Sequence, residues 1–440
     1  MTQPHARHDA PRRRSHRSTE PFLRGAVSAR LALAIAFVLA AGVARANEEG
    51  AASVGGEGRG LSVETSLGTT SIGSYGEVLY NNDLGKGDDE INLERVVLFL
   101  GHDFNGWISM HAELELEDAH EFEAEQAYLE LRPWEATAFR GGLLLVPASY
   151  VNLVHEPTTF YSVERPDLDL YVVPSTWREL GVSVSGQPTE WLTYELQLNN
   201  SLSMIDGAGE FRFGDAGTEG IRGLRQQGEE ARFEDLGIAG RVTVQPTLGL
   251  SIGGSFFTGE ADQSAKLGEA SGDDEEEEEE EERVAVRAEE AEAPEEIVAL
   301  PDSRVTVLEA DARYTNGGLD LRGEYAIVFI DNSAELSELA GTTIGSRQQG
   351  FYVEAAYDVL RLVTDSEQRL AFYYRYSWID LQDGIPSGFE RDPASEWTIH
   401  SLGLAWFPIP QVVAKLDYEI RDDDENERPD RVNVGLGYAF

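Results

Sequence analysis

The chain has 440 residues, no cysteine, and a formal net charge of −45 from 35 basic and 80 acidic side chains. That length allows one large barrel or two or three soluble domains, and the missing cysteine excludes disulfides, thiolate metal sites and cysteine nucleophiles. The acid excess excludes nucleic acid as a partner, because no basic stripe exists to replace phosphate counterions.

Residues 1–46 read as a signal peptide. Arg12, Arg13, Arg14, Arg17, Arg24 and Arg30 precede an apolar run from Leu31 to Leu39, and Ala44-Arg45-Ala46 supplies small residues before a cut at Asn47. The apolar stretch from Leu31 to Val43 is too short to span a bilayer comfortably. Removing the leader's eight arginines and two acids moves the charge from −45 to −51. Residues 47–70, rich in Gly, Ser, Glu and Ala, read as a flexible periplasmic lead-in too short for a plug domain. No later run approaches the roughly 18 apolar residues of a membrane helix. A closed sheet is then the remaining way to satisfy every backbone group in lipid.

From Ser71 onward, alternating segments of about ten residues follow one another. Short spaces, most of them with Asn-Gly, Gly-Gly or Pro, fall at 104–106, 133–135, 187–190, 245–246, 316–318, 364–368 and 408–410. Long spaces fall at 81–90, 118–123, 147–177, 201–232, 259–303, 331–348, 380–395 and 422–430. This pattern predicts an all-β fold over 71–440: a transmembrane antiparallel β-barrel of about 16 strands with short periplasmic turns and long extracellular loops. The fifth long space holds Asp273-Asp274 followed by Glu275 through Glu282. It lacks the fixed spacing of a calcium loop and reads as a solvated external loop.

Period-two alternation assigns faces. Ile108, Met110, Ala112, Leu114 and Leu116 are expected outward, opposite Ser109, His111, Glu113 and Glu115. Leu192, Tyr194, Leu196 and Leu198 oppose Thr193, Glu195, Gln197 and Asn199. Leu319, Leu321, Tyr325, Ile327 and Phe329 oppose Asp320, Arg322 and Glu324. Leu370, Phe372, Tyr374, Tyr376 and Trp378 oppose Arg369, Tyr373 and Arg375, while Leu416, Tyr418 and Ile420 oppose Lys415, Asp417 and Glu419. Strand 91–102 stays ambiguous, because Arg95 shares a face with Val97 and Phe99. The charged face implies water inside the barrel, since a dry interior would make such residues costly. Inward arginine candidates are Arg132, Arg140, Arg241, Arg313, Arg322 and Arg375. They interleave with Glu113, Glu115, Glu130, Glu195, Glu309, Asp311, Asp320, Glu324 and Glu354. Rings of mixed sign leave the selectivity open.

The last strand places Val432, Val434, Leu436, Tyr438 and Phe440 on one face and Asn433, Gly435, Gly437 and Ala439 on the other. It resembles the closing strand of bacterial outer-membrane barrels. That resemblance implies handling by the barrel-assembly machinery through Phe440, with Tyr438 beside it, and a cell outer membrane setting among lipid and lipopolysaccharide.

The stretch from Glu94 to Gly186 resembles the phosphate-selective porin O and P-like family of Gram-negative outer membranes. The matching pieces are Arg95 through Leu100, the turn Phe104 to Trp107, Ala127-Tyr128-Leu129-Glu130 and Gly142-Leu143-Leu144-Leu145-Val146-Pro147. A long loop follows with His155-Glu156-Pro157-Thr158-Thr159-Phe160, Glu164-Arg165-Pro166 and Pro174-Ser175-Thr176-Trp177-Arg178-Glu179. The resemblance implies a trimeric porin, not an enzyme, whose third long loop folds inward. It implies passive diffusion of small polar or charged solutes and ions, phosphate or other anions included, with no cofactor. The chain departs from phosphate-selecting members by having only Lys86, Lys266 and Lys415 as lysines.

On this reading the pore-loop candidates are His155, Glu156, Glu164, Arg165, Asp167, Asp169, Arg178 and Glu179. The pore-lining candidates are His111, Glu113, Glu115, Arg132, Arg140, Glu195, Arg322, Glu324, Arg375, Lys415 and Asp417. His102, His111, His120, His155 and His400 form no spaced metal pair, and no nucleophile elbow or Walker-type loop occurs. The competing expectations are a closed receptor or adhesin barrel, an outer-membrane barrel enzyme, and a soluble exported β protein.

Overall fold

The computed structural model describes residues 61–85, 88–205, 211–212, 220–229, 231–263, 266–267, 298–423 and 428–440. The signal-peptide assignment, the lead-in up to residue 60 and the acidic run 273–282 lie outside the described residues.

The strands are β1 (Leu61–Thr65), β2 (Gly68–Asp83), β3 (Asp88–Asp103), β4 (Ile108–Glu117), β5 (Glu121–Trp134) and β6 (Thr137–Leu145). They continue as β7 (Arg178–Thr189), β8 (Leu192–Asn200), β9 (Leu236–Thr247) and β10 (Leu250–Glu260). The two-residue strands β11 (Lys266–Leu267) and β12 (Val298–Ala299) pair at the neck of the acidic loop. The rest are β13 (Arg304–Asn316), β14 (Leu319–Ile330), β15 (Arg347–Asp358), β16 (Arg369–Gly384), β17 (Glu396–Ile409), β18 (Val412–Asp423) and β19 (Arg431–Ala439). Two short helices, α1 (Tyr150–Leu153) and α2 (Ser333–Ala340), lie in the loops. Among the described residues no helix is long and apolar enough to cross a membrane.

β19 pairs with β2 from Arg431↔Asp83 to Ala439↔Tyr75 and so closes the sheet on itself. β1 occupies the same edge of β2 farther along, from Thr65↔Gly68 to Leu61↔Ile72. It therefore extends the stave of β19, and the ring is a closed barrel of sixteen antiparallel strands. Residues 61–70, expected in the flexible lead-in, are mostly strand, because β1 and the start of β2 pair there.

One end of the barrel carries the short turns and the other the long loops. The first two expected long loops are only the connections 84–87 and 118–120. The third, fourth and fifth loops are long, at 146–177, 201–235 and 261–303.

The face assignments hold. Leu416, Ile420 and Leu436 are exposed on the outer wall, while Lys415, Asp417, Glu419 and Asn433 are buried within. The ambiguous strand β3 turns Arg95 and Val97 inward and Leu98 outward. Arg95 forces this choice by pairing with the buried Glu77 across the β2–β3 ladder.

The inner wall is not charged along its whole height, contrary to the expectation of a lumen that is watery throughout. At the short-turn end β13 presents Arg313, Asp311 and Glu309 inward, but toward the loops it presents Val307 and Val305. β14 changes likewise from Asp320, Arg322 and Glu324 to Ala326, Val328 and Ile330. β16 ends in Ile379 and Leu381, and β17 begins with Trp397 and Ile399. These side chains bury against Val146, Leu168, Val172 and Trp177 of the third loop, Leu202, Met204 and Leu224 of the fourth, and Leu336 of α2. The loop half of the lumen along β9–β17 is thus an apolar core, held by the same burial that stabilises a soluble domain.

Candidate pore constriction

The third loop crosses the lumen and bonds to the wall nearly all the way round. Asn152 ties its two ends together: Nδ2 donates to Val146 O at 2.7 Å and Trp177 O at 2.9 Å, and Oδ1 accepts from Trp177 N at 2.8 Å. Ser149 caps α1 by accepting from Val151 N at 3.0 Å, and its hydroxyl donates to Asp169 at 2.8 Å. Farther along, Tyr161 donates to Asp320 at 2.9 Å and Val163 N to Asp417 at 2.6 Å. Arg375 donates to Ser162 at 2.6 Å, Arg322 to Thr159 O at 2.7 Å, and Trp397 to Asp167 at 2.8 Å. The glycines of β19 admit this close approach. A Cβ at Gly437 would meet Pro157 at 2.5 Å, and one at Gly435 would meet Val163 at 3.2 Å.

His155 is pinned to the wall rather than free in the lumen. Its Nε2 contacts Glu125, which also accepts from the Tyr75 hydroxyl at 2.6 Å. Simple alternation would place Glu125 opposite Gln126, on the outer face. A bulge between Glu113 and Leu114 on the β4–β5 ladder turns it inward instead. Neither Glu125 nor Tyr75 was expected at the site, and a bulge leaves no period-two signal.

The remaining loop candidates divide. Glu164 accepts from Asn81 at 2.7 Å and Arg165 donates to Ser175 at 2.6 Å, both half-buried supports of the loop. Glu156 follows His155 in the same turn, where its carbonyl accepts from Thr159 N at 2.8 Å. Arg178, expected in the pore, instead shares the outward register of Leu180 and Val182 and pairs with Glu123 in the wall. Glu179, also expected in the pore, is fully buried beneath the apolar core. It accepts there from Trp177, Asn200 and Gln226 N at 3.1, 2.8 and 3.1 Å. Both residues enter β7 within two residues of the loop's end, so the strand register, not the loop, sets their direction.

The pore-lining candidates lie on the inner face of the wall. His111 hydrogen-bonds Ser109 at 3.0 Å and stacks on Tyr128, with Glu113 and Glu115 on the same face of β4. Arg132 and Arg140 hold Glu130 at 2.8 and 2.9 Å, and Glu195 lies 3.6 Å from Arg140. These groups edge a cavity of about 420 Å³ at the short-turn end. Glu324 accepts from Tyr352 at 3.2 Å, and Lys415 lies 3.5 Å over the Phe160 ring.

Next to that cavity, which also touches Tyr150 and Val154, a second space lies between the loop and β13–β16. Tyr150, Val154, Phe160, Arg313, Arg322 and Arg375 surround a space of about 10 Å³, room for about one water. Arg313 and Arg322 are direct cross-strand neighbours, an unfavourable like-charge pairing. Arg322 is relieved by Asp320 at 2.9 Å and Glu354 at 3.9 Å. Arg313 has no ion pair among the described residues and rests on the Tyr150 ring.

Asp169 makes the loop sensitive to pH. Burial pushes its carboxyl up to about 7, against the Ser149 hydrogen bond that holds it down, and its Oδ2 is left without a partner. A raised carboxyl favours the docked loop while protonated, and that contribution is lost as pH rises through about 7. Asp169→Asn is therefore expected to raise the thermal midpoint at pH 8.5 and to change it little at pH 4, near the ordinary aspartate value. Equal shifts at both values would show that the burial of a charged carboxylate is not limiting.

No protein-family model matches the chain. An uncharacterized protein of Aquifex aeolicus (strain VF5) is 29% identical over 381 residues, covering 84% of this chain and 80% of that protein. Among solved structures, the Salmonella typhi OmpF complex with daunomycin aligns at a TM-score of 0.52 with 12% identity, over 86% of this chain and 100% of that one. The chain has the porin fold. The trimer form of OmpT, an outer membrane protein of Vibrio cholerae, aligns at 0.51 with 12% identity, over 85% of this chain and 100% of that one. Within this porin-fold barrel, the inward third loop is the element that narrows the lumen.

Proposed function

We propose that the protein is an outer-membrane channel for passive diffusion of small polar or charged solutes, with no covalent step. The observation that carries this reading is the constriction. The short-turn cavity adjoins a much smaller space where three guanidiniums, Arg313, Arg322 and Arg375, meet the carboxylates Glu354 and Asp320, the latter 2.9 Å from Arg322. Arg313, without an ion pair among the described residues, leaves a net positive charge there, which favours anions. Inorganic phosphate is the natural candidate, in keeping with the resemblance to the phosphate-selective porins. The apolar outer face supports membrane insertion with the long loops outward, and the trimeric relative supports a homotrimer.

The outer face carries its own test. Leu416→Arg is expected to cost about 2–4 kcal/mol if that position lies near mid-bilayer, read by urea unfolding in vesicles. An unchanged midpoint would place β18 outside lipid.

The loop's near-complete ring of wall contacts favours a second reading, a closed barrel serving as a receptor. Single-channel recording of the refolded protein under a salt gradient separates the two. A stable ohmic conductance with an anion-selective reversal potential, reduced by added phosphate, is expected. A correctly inserted barrel without conductance would overturn the channel.

A further inference from the structure

The barrel wall is notched where the third loop leaves it. β5 continues from Ala127 back to Glu121 without a partner on its β6 side, whereas β6 runs only from Leu143 to Leu145 before the chain turns inward. A cavity of about 750 Å³ occupies this notch. Its lining includes Arg178, Arg212, Arg225 and Arg232.

Among the described residues only Arg178 of these four has an ion-pair partner, Glu123. Arg212 donates to the carbonyl of Arg225 at 2.9 Å. Arg225 donates to the carbonyls of Arg222 at 2.9 Å and Ser175 at 2.8 Å. Arg178 Nε and Arg232 Nη2 are buried with no hydrogen-bond partner. Burial and the neighbouring charges of Arg222 and Arg178 draw the pKa of Arg225 down. In a chain with 80 acids and 35 bases, four guanidiniums converge on one cavity with two donors unused. Glu121 and Glu229 also line it, but both are exposed.

We propose that this notch binds a phosphate group. Planar guanidinium forks match phosphate oxygens in pairs, and three of the four arginines have no ion-pair partner among the described residues. Phe122, on the outward face of β5 and 70% exposed, stands beside the arginines. The site therefore joins a cationic cavity to an apolar outer wall, which suits the phosphate of a membrane lipid better than the free ion. The inference rests on the barrel sitting in a membrane and not on its conducting, so a failed conductance experiment leaves it standing.

The test uses the refolded full-length mature protein in dodecyl maltoside. Native mass spectrometry counts bound dioleoylphosphatidic acid or dioleoylglycerol, and equilibrium dialysis measures radiolabelled inorganic phosphate. One phosphatidic acid per barrel is expected, with no retained dioleoylglycerol. In Arg212→Gln/Arg232→Gln, binding is expected to weaken about tenfold, with heat-modifiable migration confirming the fold. Should the double variant not refold, Arg232→Gln alone gives a smaller drop of the same sign. Inorganic phosphate that binds one per barrel and displaces the lipid would assign the phosphate site to the free ion. Equal retention of dioleoylglycerol, unweakened binding by the folded variants, or binding of neither phosphate probe would overturn the proposal.

Discussion

Arg95→Leu is expected to destabilise the barrel by about 3–5 kcal/mol, the usual cost of stranding one member of a buried ion pair. The Arg95 side chain is 1% exposed, and its Nε and Nη2 donate to Glu77 Oε1 at 2.9 and 2.6 Å. Glu115 and Glu125 bury on neighbouring strands of the same wall. Removing Arg95 leaves Glu77 without the guanidinium that hydrogen-bonds it. The pairing also fixes which face of β3 points inward, so its loss relaxes the register as well as the charge balance. Urea unfolding in micelles, followed by tryptophan fluorescence, measures the effect. Arg95→Leu/Glu77→Leu is expected to recover most of the loss, because a matched apolar pair needs no desolvated charge. A single-variant loss below about 1 kcal/mol would mean that water reaches Glu77 and screens it as at a surface.

The second large effect lies at the constriction. Tyr150→Ala/Arg313→Ala is expected to raise single-channel conductance several-fold and to weaken anion preference. Tyr150 projects from α1 of the crossing loop, and Arg313 rests on its ring. Together they account for much of the wall around a space of only about 10 Å³. Arg313 has no ion pair among the described residues, so its removal strands no carboxylate and leaves Arg322 with Asp320 and Glu354. Folding is therefore expected to survive, which ties a changed conductance to the opening itself. Conductance equal to wild type would place the permeation path elsewhere, along the polar wall of β18, β19 and β2. Arg95 is embedded in a charge network, whereas Arg313 rests on an aromatic ring without an ion pair among the described residues.

Strand number and strand faces were legible in the sequence, through period-two alternation for the faces and turn residues for the short connections; the inward third loop followed from the family resemblance alone. Arg178 and Glu179 were misplaced because they lie where loop becomes strand, and a one-residue boundary error reverses direction. Glu125 escaped notice because a bulge breaks the alternation that otherwise finds wall residues. The apolar core in the loop half of the lumen did leave a trace. Ala326-Ile327-Val328-Phe329-Ile330 is a continuous apolar run, the mark of a strand buried on both faces.

The sequence by itself determined that a sheet closes, how many strands it holds and which side chains each strand turns inward, because those features follow from backbone periodicity and local turn chemistry. The tertiary structure alone decided that the loop half of the lumen along β9–β17 is an apolar core, that His155 is a pin and not a free pore group, and that four arginines, three without an ion pair among the described residues, collect in a notch of the wall. These depend on which distant segments meet across the barrel: the loops at 146–177 and 201–235 with strands far from them in the chain. Contacts of that range carry no periodic signature, since their partners are set by the closure of the ring and not by neighbours in sequence.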